Sequence, residues 1–246
     1  MTLVNCADSP WQNRGDFFSI RMMTTTLLAL LLSNPIQAAE SPPRAMEGLR
    51  VSLSSWSVSA GDYEDAVVAK TGAVLFLRDG RLGYRLRGST VSAPMPVGIP
   101  RGARRLLIDG TDLYAYGDGI YRYSREGSFE TLLKTPAPVS ALAVSPGRLV
   151  FAMEGRIYQR GGGGPFRLLF KSGLAPTIDS LAYDALSGVM FFTTRLGLYS
   201  LRTGTADLLL EGATGQLRLE GDRLILESMA EKKRFTIEGW RGVLVR

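Results

Sequence analysis

Histidine is absent from all 246 residues, and the one cysteine is Cys6. The commonest general base and the commonest metal ligand are therefore missing. Ser/His/Asp and Cys/His nucleophilic catalysis are excluded by composition, and ordinary zinc and iron centres have no ligands to use. What is left is carboxylate chemistry or the binding of a hard cation. The acids closest in sequence are Asp62, Glu64 and Asp65, and Asp109, Asp112 and Asp118. Neither set has the Asp-x-Asp-x-Asp-Gly spacing of a calcium loop. Aspartate before glycine is first of all a turn residue. No catalytic, metal or cofactor-binding residue is assigned, and no cofactor is expected. The cations group as Arg101, Arg104 and Arg105, and as Lys232, Lys233 and Arg234. Each group also reads as a solvated loop.

The elements that would position these residues recur along the chain. Tyr84, Tyr121, Tyr158, Tyr199 and Phe235 follow one another at intervals of about 36–41 residues, a period that marks a repeat architecture. In one unit, residues 106–108, 113–116, 120–123 and 129–133 are short runs rich in Leu, Ile, Tyr and Phe, separated by Asp-Gly, Gly-Asp-Gly and Arg-Glu-Gly. Such runs suit a half-buried pleated surface, and such separators supply hairpin turns. The order repeats from residue 66 to the end, with residues 243–245 as the last strand. The first unit's fourth strand, residues 90–97, is broken by Pro94 and Pro96 and is expected as an edge or irregular segment. The run Gly161 to Gly164 is followed by Pro165 rather than Lys-Ser/Thr, so it reads as a hairpin loop and not a phosphate cradle.

A four-stranded sheet cannot bury its apolar residues alone. Face-to-face stacking around an axis buries them and ring closure protects the edges. The expected fold is all-β, a β-propeller of about five four-stranded blades over residues 49–246. A β-sandwich is the structural rival, although nothing in a sandwich requires the recurring aromatic. That aromatic reads as packing between blades. Residues 49–58 read as a strand that joins the last blade or lies over one end of the ring, with Trp56 as a packing residue.

Residues 1–38 stand apart. Arg21 precedes the apolar run 27–32, followed by Asn34-Pro35 and the small residues Ala38 and Ala39. This is the pattern of a secretory signal peptide, with Met22 or Met23 as an alternative start that would make the upstream stretch a misassigned leader. An uncleaved anchor or a buried helix is the other reading. Residues 39–48 read as a flexible linker. Export places the protein in the periplasm or outside the cell, with no transmembrane anchor after processing. Formal charge is +6, which favours acidic protein or envelope partners over neutral ones; nucleic acid is not expected.

The repeat resembles that of bacterial exported β-propeller proteins over about residues 62–246. The segment Leu181-Ala182-Tyr183-Asp184, followed by Gly188-Val189-Met190-Phe191, is similar to NHL and gluconolactonase-like repeats. That resemblance implies a ring of blades. The lactonase family holds a divalent metal with Glu, Asn and Asp, whereas no Asn follows Ala38 here. The leading functional expectation is a non-enzymatic propeller that binds a protein or serves as a scaffold in the cell envelope. The alternative is a carboxylate- and cation-dependent hydrolase or lactonase. Loops carry function on a rigid scaffold. The crossings between blades and the turns between second and third strands share one face. The residues expected to meet a partner there are Arg101, Arg104, Arg105, Asp118, Glu154, Arg195, Lys232 and Lys233. N-terminal sequencing of the exported protein should begin just after Ala38; residues 27–32 in the mature chain would defeat the cleaved-signal reading.

Overall fold

The computed structural model describes residues 43–55, 63–173, 177–228 and 232–245. Trp56, Asp62, Ala38 and the signal region lie outside the described residues. Twenty strands form five four-stranded antiparallel sheets, the blades of a β-propeller. β1 (Arg50–Ser55) is the outer strand of the fifth blade. Blade 1 is β2–β5 (Asp65–Val68, Val74–Arg78, Arg81–Arg85, Ala93–Gly98). Blade 2 is β6–β9 (Ala103–Asp109, Asp112–Gly117, Gly119–Tyr123, Phe129–Lys134), and blade 3 is β10–β13 (Ala141–Ser145, Arg148–Met153, Arg156–Gly161, Arg167–Lys171). Blade 4 is β14–β17 (Ser180–Asp184, Val189–Thr194, Gly197–Arg202, Thr205–Glu211), and β18–β20 (Gln216–Glu220, Arg223–Ser228, Lys233–Glu238) make the rest of blade 5. The first strand of each blade runs along the axis, and all five run the same way. They define an entry face, where the axial strands begin, and an exit face, where they end.

The ring is closed by the N-terminal strand. β1 pairs with β20 from Arg50↔Glu238 to Ser55↔Lys233, so the fourth strand of the last blade comes from the other end of the chain. Residues 243–245, expected as that strand, do not form it. The chain instead turns at Gly239, which has φ +82°, into the short helix α1 (Trp240–Leu244). The cause is the side chain of Trp240. It is wholly buried and meets Phe191 edge to face at 4.9 Å, and that large apolar area outweighs another ladder of hydrogen bonds. The stretch 43–48 also lies on the sheets: Met46 N donates to Leu209 O and Glu211 N donates to Arg44 O, covering the outer edge of β17. The segment around Pro94 and Pro96 is a strand after all, β5, with a register shift against β4. An outer strand can accept proline there because it has a free edge.

Turn chemistry follows the repeat. Asp79-Gly80 and Glu154-Gly155 have φ of +50/+65° and +50/+69°, the paired left-handed values of a type I′ hairpin. Gly161 to Gly164 connects β12 to β13 as a loop, clasped by Arg160 through Gly163 O and Gly164 O.

Four of the blade interfaces are apolar clusters that draw residues from both neighbours: blades 1 and 2 around Leu77 and Leu106, 2 and 3 around Ile120 and Phe151, 3 and 4 around Ile157 and Phe192, 4 and 5 around Phe191 and Leu226. The recurring aromatic belongs to them. Tyr121, Tyr158, Tyr199 and Phe235 each pack on the preceding blade. Tyr84 does not, and is 36% exposed. Its place in the strand pairing is taken by Gly83, because Leu82 stands where Ile120, Ile157 and Leu198 stand in blades 2 to 4. A Cβ on Gly83 would fall 2.5 Å from the Phe76 ring. Tyr199→Ala should therefore cost about 3–5 kcal/mol, and Tyr84→Ala less than about 1 kcal/mol, in urea denaturation. Equal losses would contradict this division of the aromatics.

Candidate functional site

Polar residues stand at the first rung of the axial strands: Asp65, Arg105, Ser180 and Gln216, with Ala141 at the same rung of blade 3. They bond across blades. Asp65 Oδ2 accepts from Leu106 N of blade 2 at 2.7 Å, and Asp65 Oδ1 accepts from Gln216 Nε2 of blade 5 at 2.9 Å. Arg105 Nη1 reaches Asp179 O, at the mouth of blade 4, at 2.9 Å. Leu217 N donates to Ser180 Oγ, and Ser140 Oγ donates to Ile178 O. The result is a belt at the entry end of the axis that ties all five blades. Burial pushes the Asp65 carboxyl up to about 6, against the hydrogen bond from Leu106 and the Arg105 charge, which pull it down. The Tyr116 phenol, buried beside Arg105 and Asp65, is pushed up as well, chiefly by burial.

Beyond the belt, toward the exit face, lies a cavity of about 440 Å³ lined by every blade. Its surface is part apolar and part polar, and Val68, Leu107, Ala143, Leu181 and Leu217 supply the apolar part. Its charged lining is Lys70, Arg87, Arg218 and Arg234, with Asp109 and Glu220 opposed. Burial, and then the neighbouring Asp112, raise the Asp109 carboxyl above its ordinary range. Among the described residues, no three Asp, Glu or Cys side chains are grouped to hold a metal ion.

The expected partner residues are divided by the fold. The entry face does carry both crossings and second turns: Asp118 N donates to Gly102 O, so the turn of blade 2 abuts its incoming crossing. Arg101, Arg104, Asp118, Glu154, Arg195 and Lys232 are exposed there, and Lys233 is half-buried in β20. Arg105 is different, because its guanidinium is drawn into the axial belt. The acid groupings are split too. Asp109 and Asp112 flank an exit-face turn while Asp118 stands on the entry face. Sequence reasoning missed Gln216, Ser180, Arg218 and Arg87. A signal existed: a polar residue precedes the apolar run of four units, and Arg234 replaces the Ile or Leu of blades 2 to 4.

Fold and site together define a five-bladed β-propeller repeat protein. No family profile matches the sequence, and no curated protein matches it. Solved structures share the architecture. A protein described as a gluconolactonase is 15% identical, with 70% of this chain and 72% of that chain covered and a TM-score of 0.51. Virginiamycin B lyase from Staphylococcus aureus is 12% identical, with 77% and 99% covered and a TM-score of 0.46. At 15% identity the first likeness is one of fold.

The raised Asp65 carboxyl has a measurable consequence. The folded chain holds this proton more tightly than the unfolded chain, so the contribution to stability is full below about pH 4 and is lost as pH rises through about 6. The loss is up to about 3 kcal/mol. Asp65→Asn, which mimics the protonated acid and bonds Gln216 after an amide flip, should flatten this part of the pH–stability curve. An unchanged slope between wild type and variant would show that Asp65 does not titrate there.

Proposed function

We propose that this is a non-enzymatic binding propeller of the cell envelope, exported by its N-terminal segment, which offers its entry face to a protein partner or an acidic envelope component. The carrying observation is the state of the polar groups at the entry end. Those on the axis are engaged in inter-blade hydrogen bonds, whereas those around the rim, Arg101, Arg104, Asp118, Glu154, Arg195 and Lys232, stand exposed with charges of both signs. Mixed rim charge steers and orients a macromolecular partner and contributes more to association rate and specificity than to a pocket for one ion. The belt ties the blades together and the loops project from them, the usual division between scaffold and recognition surface.

The alternative is a carboxylate- and cation-dependent hydrolase or lactonase. One observation favours it: Asp65 is an axial carboxyl with a proton affinity suited to acid–base work near pH 6. Against it, both Asp65 oxygens already accept hydrogen bonds.

Arg101→Glu with Arg104→Glu should cut capture of partners from envelope extract about tenfold or more, and Arg125→Glu on the exit face should not. Loss of capture with Arg125→Glu alone would reverse the choice of face. Lactone hydrolysis above background with added Ca²⁺ or Mg²⁺, abolished by Asp65→Asn, would replace the binding reading with the alternative.

A further inference from the structure

The seam between blade 5 and blade 1 breaks the rule kept by the other interfaces. The apolar cluster on that face of blade 1, Ala66, Val74 and Phe76 with Tyr63 and Val68, includes no residue of blade 5 among the described residues. Tyr63 stacks on Phe76 within blade 1, with ring centroids 4.3 Å apart. Gly83 leaves out the aromatic that elsewhere reaches the preceding blade. Blade 5 answers with charge. Glu227, with a side chain 7% exposed, accepts from Arg218 Nη1 at 3.0 Å and from Arg234 Nε at 2.8 Å, and Arg218 Nε also meets Glu220 at 2.8 Å.

The axial cavity follows this seam outward. Blades 2, 3 and 4 contribute to its lining only from their axial strands and the turn after β6. Blade 1 contributes Gly72 and Arg87 as well, and blade 5 contributes Arg234 on its third strand. All four cations of the lining therefore belong to the two seam blades. Lys70 and Arg87 are exposed and have no ion-pair or hydrogen-bond partner among the described residues; the Arg87 stem lies over Gly72, where an added Cβ would come within 2.8 Å of its Cδ.

We propose that the exit-face cavity binds a small amphipathic anion, an organic molecule with a compact apolar body and a carboxylate or phosphate end. The body packs on Val68, Leu107, Ala143, Leu181 and Leu217, and the anionic end sits at the seam. There Arg87 and Lys70, the latter with Asp109 as its electrostatic neighbour, stand outside the Arg218–Glu227–Arg234 cluster, which keeps two further guanidiniums in place. The volume is within the range of small-molecule sites, which join apolar walls to a few placed polar groups. With Glu227, which pairs with Arg218 and Arg234 behind the lining, four cations face three acids, a net charge of one positive unit. Arginine in such a position matches carboxylate and phosphate alike. This site goes beyond the entry-face reading and lies at the opposite end of the axis.

The test is calorimetric titration and thermal shift of the full chain with octanoate, octyl phosphate, 1-octanol, octylamine and inorganic phosphate. Octanoate and octyl phosphate are expected to bind and to raise the melting temperature. 1-Octanol and inorganic phosphate, each carrying half of the recognition, should bind at least about tenfold more weakly, and octylamine should not bind. Whichever of the two eight-carbon anions binds tighter identifies the end group. Lys70→Gln with Arg87→Gln should weaken anion binding about tenfold or more while leaving the unliganded melting temperature unchanged. The proposal is overturned if neither anion binds, if octylamine or 1-octanol binds as well as octanoate, or if the double variant retains full affinity. The Arg101→Glu/Arg104→Glu protein should bind octanoate normally, so failure here and failure of partner capture are separate results.

Discussion

A propeller stands or falls by the joint between its last blade and its first. Two interactions make that joint here, and neither is the apolar packing used at the other four interfaces. β1 hydrogen-bonds along β20 and then leads on to β2, so the outermost strand of blade 5 is tied through the chain to the innermost strand of blade 1. Gln216 reaches Asp65 across the axis, joining residues 151 positions apart. Asp65 in turn holds Leu106 N of blade 2. One carboxylate thus bonds the blades on both sides of its own.

That arrangement has a cost. A carboxylate in so dry a place loses hydration that its hydrogen bonds and one nearby cation do not fully replace, and its raised proton affinity reflects the shortfall. An apolar residue at the same rung would leave Leu106 N without an acceptor, and an unpaired buried amide is itself expensive. The belt is stable as a set of mutually satisfied groups, and its members are not independent. Arg105 shows this most clearly: in sequence it belongs with Arg101 and Arg104, but in the fold its neighbours are Asp179 O, Tyr116 and Asp65.

The architecture was legible because a repeat reports itself. The recurring Tyr and Phe, the Asp-Gly turns and the alternation of apolar runs gave the number of blades and most strands to within a residue or two. The last strand was misplaced because Trp240 looks in sequence like one more apolar residue near a strand, while its burial against Phe191 depends on a blade about 50 positions earlier. The axial site was much less legible. Asp65 stood in an acid grouping that matched no ligand spacing. Nothing near it in sequence points to Gln216, since the two are brought together only by ring closure. Position within the repeat, rather than local motif, carried that information.

Departures from a repeat are the places to look for function, because packing alone would favour conformity. In this chain they gather at one seam. Gly83 replaces the inter-blade aromatic, Arg234 stands where Ile or Leu stands in blades 2 to 4, and Glu227 is a buried acid at a rung that blades 1 and 3 fill with Leu77 and Ala152. Each change alone would destabilise an apolar interface. Together they form a charged wall facing an apolar one, with a cavity between them. Ion clusters of this kind add little net stability compared with a packed core. Tyr and Ile at those positions, as in the neighbouring blades, would pack the seam more simply; the charge placed there instead is accounted for by something that uses it.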